Sequence, residues 1–195
     1  MISPVWRLVP AGLLAAGLLV AGPAVTANAE PLTPESLLKT LDLRGYALPT
    51  APPEFRGGTL DARQLSMTDH LGTVVVLNFW ASWCLECRSE MLGLERLQRE
   101  FSARGLAVIG VNARERREAV GRYCKELGLT FPLVVDPDGK IGGLYGVLGL
   151  PTTFVVGRDG RAIAVAVGPR QWDGAPARAL IEALLAEPAP GASTR

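Results

Sequence analysis

The chain has 195 residues, 48% of them apolar and 20% charged, which is an ordinary composition for one globular domain with a buried core. Its 20 basic and 19 acidic side chains give a formal net charge of +1. This balance argues against a nucleic-acid binder and against a polybasic membrane surface, because both need an excess of positive charge.

The first residues have the pattern of a targeting segment. Arg7 is the only charged side chain before Glu30, and a mainly apolar run over residues 8–20 follows it. The small residues of Ala27-Asn28-Ala29 have the spacing of a signal-peptidase site. We predict that residues 1–29 are a signal peptide, the alternative being an uncleaved membrane anchor. Either reading predicts that the rest of the chain lies outside the cytoplasm.

Residues 30–52 are predicted to form a short helix and a linker. Thr33 is a good capping residue and Pro34 suits the first helical position. The proline-rich stretch at 48–53 is expected to break regular structure. Gly57-Gly58 then predicts the turn of a hairpin.

Strands and helices alternate from residue 74 onward. Residues 74–79 form a β-branched, apolar run typical of a buried strand, and a helix from about Cys84 to Arg104 follows, ended by Gly105. The later predicted elements are a strand at 106–111, a helix at 115–127, a strand at 131–135, a short helix at 141–148, a hairpin of strands at 153–156 and 162–167, and a last helix opened by Asp173. This order predicts an α/β fold with a mixed central sheet flanked by helices. The polar tail at 188–195 is expected to be disordered.

A C-x-x-C pair, Cys84 and Cys87, lies where the buried strand meets the helix. The first turn of a helix carries unpaired N–H groups and a partial positive charge, which lower the pKa of a thiol placed there. Cys84, exposed at that end, is expected to attack a substrate disulfide, and Cys87 to resolve the mixed disulfide. The alternatives are a structural disulfide, which would stabilise little across so short a loop, and half of a zinc site.

The other candidate metal ligands are Cys124 and His70, and both are distant from the pair in sequence. Cys124 falls on the apolar face of the helix at 115–127 and is predicted to be a core residue. His70, the only histidine, is near a predicted turn and is interpreted as a surface residue. The sequence therefore predicts no metal site.

Four segments resemble the TlpA/ResA-like branch of the thioredoxin-like proteins: VVLNFWASWCLECRSEM at 75–91, GLAVIGVN at 105–112, FPLVVD at 131–136 and YGVLGLPTTF at 145–154. The resemblance implies a thioredoxin-like domain over residues 53–187, with a helix and strand inserted after the first βαβ unit, here at about 115–135. It also implies a periplasmic thiol–disulfide oxidoreductase with no cofactor beyond the Cys84–Cys87 disulfide. Members of the family reduce disulfides of apocytochrome c or of copper-site assembly proteins, and they receive electrons from a membrane thiol transporter.

The resemblance assigns Cys84 as the attacking cysteine and Cys87 as the resolving one. Glu90 matches the family's buried glutamate, and it lies three residues past Cys87 on the same side of the helix, where it can exchange a proton with that thiol. The alternative is a solvated glutamate favoured by the helix dipole. Asn78 stands where ordinary thioredoxin has a buried aspartate, which makes Glu90 the better proton-transfer candidate.

Three further residues, Pro151, Trp80 and Trp83, match positions around the family's active site. Pro151 matches its cis-proline, and the backbone of Leu150 is expected to pair with a substrate strand. Trp83 is expected to shield or contact Cys84. Trp80 is interpreted as a core residue.

The sequence departs from the family pattern at two places. Glu86 replaces the proline that usually precedes Cys87, and its negative charge is expected to raise the thiol pKa and so favour a reductant. Leu92-Gly93 follows Met91 where a proline is common, so the helix is expected to lack the usual kink.

The most favoured function is therefore reduction of protein disulfides. A thiol-based metal chaperone is one alternative, and it needs a third ligand near the pair. A disulfide-donating oxidase is another, and it needs a very stable thiolate, which Glu86 disfavours.

Overall fold

A computed structural model describes residues 32–189 of the protein. The predictions on the targeting segment at 1–29 and on most of the tail lie outside these residues. The described elements, in chain order, are α1 (Pro34–Thr40), β1 (Arg44–Thr50), β2 (Arg56–Gly58), β3 (Gln64–Ser66), β4 (Val74–Trp80), α2 (Leu85–Phe101), β5 (Leu106–Ala113), α3 (Arg117–Leu127), β6 (Leu133–Asp136), α4 (Lys140–Leu144), β7 (Thr152–Val156), β8 (Ala162–Val167) and α5 (Ala175–Ala186). Within them no helix has the length and apolar character needed to cross a membrane.

Six strands form one mixed sheet in the order β1-β8-β7-β4-β5-β6. Strands β4, β5 and β6 are parallel, whereas β7, β8 and β1 join the sheet by antiparallel pairing. The pair α3–β6 occupies the place of the predicted insert. The α/β architecture and the mixed sheet are therefore confirmed.

Strand β4 is the centre of the sheet, and all seven of its residues are buried. Val74, Val76 and Trp80 face a core that contains side chains of α1, α2, α3 and α5. Val75 and Phe79 face a second core beneath the β2–β3 hairpin and α4. This period-two alternation places apolar side chains on both faces of the sheet. The carboxyl end of β4 leads through residues 81–84 to the start of α2.

Helix α2 begins where the sequence predicts it, and its α-helical part ends at Phe101, three residues before the predicted end. Cys84 is its N-cap, and a short 3₁₀ turn extends the helix to Arg104. Gly105 then adopts a φ of 102°, a conformation that glycine reaches without the steric cost of a side chain. The helix runs without interruption past Gly93, where an added Cβ would lie 3.0 Å from Asp173 Oδ1.

The predicted linker at 48–53 is wrong over its first residues, because β1 continues to Thr50. Arg44 pairs with Val165 and Thr50 with Ala162, with an irregular register between them. An edge strand tolerates Pro49 there because one side of the strand has no ladder to interrupt. Helix α1 also belongs to the domain, since its Leu37 is buried in the main core.

Two other predicted boundaries are wrong. Gly57-Gly58 forms part of β2, and the hairpin turns after it, because Gly57 packs against Val134 and leaves no room for a side chain. The last helix begins at Ala175 with Gly174 as its N-cap. Asp173 does not cap it, because its carboxylate is bound by Arg96 at 2.7 Å.

Candidate active site

The Cys84–Cys87 disulfide lies at the first turn of α2, directly beyond the carboxyl end of β4. The two Cα atoms are 5.2 Å apart. The backbone N–H of Cys87 donates to Cys84 Sγ at 3.1 Å, so the positive end of the helix points at that sulfur. The same donor is available to a Cys84 thiolate after reduction, and it would lower the pKa of that thiol.

The two cysteines differ in accessibility. Cys84 keeps 8% of its surface accessible, whereas Cys87 has none. The expectation that Cys84 is exposed is therefore wrong in this disulfide form, because both residues contribute to the main core. Cys84 is nevertheless the sulfur that a substrate can approach.

Glu90 lies one turn after Cys87 on α2 and is only 2% exposed. Its Oε1 accepts a hydrogen bond from Asn78 Nδ2 at 2.6 Å. Its Oε2 accepts two more, from the Arg170 backbone N–H at 3.0 Å and from Trp172 Nε1 at 3.2 Å. The alternative of a solvated first-turn glutamate is therefore wrong.

Burial raises the pKa of Glu90 from 4.5 to about 7. Hydrogen bonds from Arg170, Asn78 and Trp172 and the positive charge of Arg170 act in the opposite direction, but they do not outweigh the loss of hydration. A carboxyl group with this pKa exists in both protonation states near neutral pH. It is therefore suited to accept and return a proton.

Asn78 connects Glu90 to the opposite strand. Its Nδ2 also donates to Thr153 Oγ1 at 2.9 Å, across the β4–β7 pairing. Its Oδ1 is buried without a partner among the described residues. Asn78 thus contributes a neutral donor where a second carboxylate would compete with Glu90 for one proton.

Pro151 is buried next to this arrangement, and the Leu150-Pro151 peptide bond is cis, as the resemblance implied. The start of β7 lies at the same end of the sheet as the cysteines, because Asn78 pairs with Thr153 and Phe79 pairs with Thr152. Leu150 is half-buried against the core that contains the pair. Within residues 32–189 its backbone N–H and C=O have no hydrogen-bond partner.

The surface around the pair combines aromatic and charged groups. Trp83 is 68% exposed, so its indole faces solvent beside Cys84. Trp80 is buried and stacks on Tyr123, which confirms its interpretation as a core residue. Glu86 is exposed and has no ion-pair partner in the described part of the chain, whereas the charge of Arg88 is bound by Glu126 at 2.7 Å.

Glu115 is a site residue that the sequence analysis missed. It follows β5, and its carboxylate accepts hydrogen bonds from Ser82 N at 2.7 Å, from Ser82 Oγ and from Asn112 Nδ2 at 2.7 Å. Ser82 is part of the loop that leads from β4 to Cys84. Polar residues just beyond the carboxyl ends of adjacent parallel strands collect at one sheet edge, and this rule would have pointed to Glu115.

We expect Glu115→Gln to lower the free energy of unfolding of the oxidised protein by about 1–3 kcal/mol. The side-chain NH₂ of the glutamine would replace one carboxylate oxygen of Glu115. At least one of the donors from Ser82 and Asn112 would then lose its acceptor. Urea denaturation at neutral pH measures the change, with Glu118→Gln, an exposed glutamate of α3, as the matched control. A loss no larger than that of the control would contradict this role.

Cys124 and His70 lie apart from the pair. Cys124 is a buried free thiol, and burial raises its pKa to about 12, so its interpretation as a core residue is confirmed. His70 is half-buried rather than on the surface, beside a cavity of about 350 Å³ at the opposite end of β4. No group of three or more His, Cys, Asp or Glu side chains within residues 32–189 is arranged to hold a metal ion.

The sequence matches the model of the AhpC/TSA family over residues 50–165. The chain belongs to this family. It is 34% identical over 122 residues to the thiol-disulfide oxidoreductase ResA of Geobacillus thermodenitrificans, a match that covers 63% of this chain and 70% of the relative. The resemblance to the TlpA/ResA-like branch is thereby confirmed.

Solved structures agree on the fold. A putative thiol:disulfide interchange protein DsbE from Chlorobium tepidum superposes with a TM-score of 0.66 at 31% identity, covering 70% of this chain and 96% of that one. A secreted thiol-disulfide isomerase from Corynebacterium glutamicum gives a TM-score of 0.57 at 28% identity, covering 68% and 82%. The protein is a thiol–disulfide oxidoreductase with a thioredoxin-like fold and the Cys84–Cys87 pair.

Proposed function

We propose that the protein reduces disulfides of other proteins outside the cytoplasm. The observation that carries the proposal is the buried carboxyl of Glu90 one turn from the Cys84–Cys87 pair. Cys84 is the attacking cysteine, Cys87 the resolving cysteine and Glu90 the proton-transfer group. The chemistry needs no metal or organic cofactor, because the two thiols supply both electrons.

The first step is attack by the Cys84 thiolate on a substrate disulfide. A bond forms between Cys84 Sγ and one substrate sulfur, while the substrate S–S bond breaks and releases a thiolate. The Cys87 N–H and the dipole of α2 stabilise the attacking thiolate. This favours Cys84 over Cys87, which has no accessible surface.

The second step closes the protein disulfide. Cys87 loses its proton to Glu90 and attacks Cys84 Sγ, which breaks the mixed disulfide and releases the second substrate thiolate. The two thiols are oxidised, and the substrate disulfide gains two electrons. A groove of about 460 Å³, lined by Ser89, Glu90 and Arg170 among others, gives Glu90 a route for proton exchange with water.

The local charges support the reducing direction. The carboxylate of Glu86 remains exposed two residues after Cys84, and the nearest cation on the helix, Arg88, is bound by Glu126. An uncompensated negative charge disfavours the thiolate, so the dithiol form gives up its electrons more readily.

The surface around Cys84 supports a protein as the substrate. Trp83, Leu85 and Leu148 are 68%, 84% and 101% exposed, so their apolar surface is available to a partner. The backbone of Leu150, with its N–H and C=O free among the described residues, is suited to pair with an extended segment. These groups would hold a disulfide-containing strand across the pair.

The proposed location follows from residues 1–29, which have the pattern of a signal peptide or anchor, and from the secreted relative in Corynebacterium. In the periplasm the clients would be apocytochrome c or copper-site assembly proteins, and a membrane thiol transporter would return the electrons. No nucleic acid takes part.

The reduction potential of the Cys84–Cys87 pair tests the direction of the reaction. We expect a value near or below about −220 mV, in the range of thioredoxin and glutaredoxins, after equilibration of the purified protein with a dithiol buffer. We also expect Glu86→Gln to raise it, with Glu118→Gln as a charge-matched control. A value above about −150 mV would recast the protein as a disulfide donor.

A further inference from the structure

Arg170 joins the active site to the N-terminal segment of the domain. It belongs to the loop between β8 and α5, and its backbone N–H donates to Glu90 Oε2. Its guanidinium donates to the carbonyl of Leu41 at 2.6 Å and to the carbonyl and carboxylate of Asp42 at 2.7 and 2.9 Å. These acceptors lie in the turn between α1 and β1.

The same guanidinium also donates hydrogen bonds to the carbonyls of Pro169 and Val167, which lie one and three residues before Arg170 in the chain. The N–H groups of the guanidinium are thus bound by backbone carbonyls and one carboxylate. A lysine has a single ammonium group and cannot reach all of these acceptors at once. The loop delivers a second donor to Glu90 Oε2, the indole of Trp172. Both contacts to Oε2 therefore depend on the position of one loop.

Among residues 32–189, few charged or titratable groups lie around Glu90. Cys87 precedes it on α2, and Arg170 faces it from the β8–α5 loop. Arg96 and Asp173 line the adjoining groove and are paired with each other. From β4 and β7 come only the neutral Asn78 and Thr153.

We propose that Arg170 is a positioning residue that sets the proton-transfer behaviour of Glu90 by anchoring the β8–α5 loop to the α1–β1 turn. The proposal rests on the role of Glu90 in the proposed function. It gives the N-terminal segment at 32–50 a part in the chemistry, because displacement of its turn would release the loop that supplies two of the three donors to Glu90.

The test follows the rate at which a mixed disulfide on Cys84 is resolved, as a function of pH. Arg170→Gln removes both the positive charge and the several N–H donors of the guanidinium, whereas Arg170→Lys keeps the charge and loses the planar set of donors. We expect both variants to move the Glu90-dependent midpoint upward by about one pH unit, since a weakened donor set favours the protonated carboxyl. Arg161→Lys, an exposed arginine paired with Asp159, is the matched control and should leave the midpoint unchanged.

Asp42→Gly tests the other end of the anchor without touching the core. Asp42 is exposed and has a φ of 50°, which glycine adopts readily, so the variant is expected to fold even if Arg170→Gln does not. Asp42→Gly removes only the carboxylate, and the carbonyls of residues 41 and 42 still accept from Arg170. The weakened anchor therefore predicts an upward shift of the midpoint that is smaller than the shift in Arg170→Gln. Loss of a negative charge alone predicts a downward shift, because it would favour the Glu90 carboxylate.

A normal midpoint in Arg170→Lys beside a shifted one in Arg170→Gln would overturn the inference, since charge would then explain the effect. A downward shift in Asp42→Gly would also overturn it. Glu90→Gln serves as the reference in every experiment. If the pH profile of Glu90→Gln equals that of the unmodified protein, the proposed role of Glu90 fails. If only the Arg170 variants keep the normal midpoint, the role of Glu90 stands and the inference on Arg170 fails.

Discussion

Replacement of Cys84 by serine is expected to lower the rate of disulfide reduction by about 10³-fold or more. Serine keeps the size of the side chain and accepts the Cys87 N–H bond, but its hydroxyl is not ionised near neutral pH and cannot form a mixed disulfide. The assay follows thiol release from a disulfide-bonded model protein, with the enzyme reduced in advance. Activity that survives Cys84→Ser would contradict the mechanism.

Two further variants separate the roles of the cysteines. Cys87→Ser should leave the first step intact, so the protein should accumulate as a mixed disulfide with the substrate through Cys84, visible by mass spectrometry. Cys124→Ala is the matched control, because its thiol is buried away from the pair with a pKa raised to about 12. Its activity should remain near that of the unmodified protein.

The elements nearest the chemistry follow from local signals in the sequence. The run before Trp80 is rich in β-branched residues, Gly105 ends the 3₁₀ turn after α2 with a positive φ, and Gly128 ends α3 in the same way. Each signal acts within a few residues and does not depend on the rest of the chain. The strand, the helix and the C-x-x-C pair between them were therefore predictable, with element ends that differ from the observed ones by one to three residues.

The surroundings of Glu90 were not predictable from local signals. Arg170 and Trp172 are 80 and 82 residues from Glu90 in sequence, and nothing in their neighbourhood marks them as its donors. The strand that ends at Thr50 was missed for a related reason. Its proline suggested a break, but the pairing partner β8 lies more than 100 residues away and supplies the hydrogen bonds that keep the segment extended.

Glu90→Gln is expected to slow resolution of the mixed disulfide by about 10²-fold above neutral pH. The carboxylate of Glu90 forms as the pH passes about 7 and can then accept the proton of Cys87, whereas the amide never can. The rate of the unmodified protein should therefore rise through that pH, and the variant should lose this step. Single-turnover kinetics from about pH 5 to about pH 9 measure the difference.

Stability gives an independent check on the same carboxyl. The folded protein holds the Glu90 proton up to about pH 7, whereas the unfolded chain releases it near 4.5, so the folded state binds more protons between these values. The contribution of this group to the free energy of unfolding therefore falls by about 3 kcal/mol as the pH rises through this window. Glu90→Gln should lack this decline, whereas Glu100→Gln, exposed on the same helix, should retain it. Parallel stability profiles for the unmodified protein and Glu90→Gln would show that burial does not raise the pKa of this carboxyl, and would contradict the rise in resolution rate expected near pH 7.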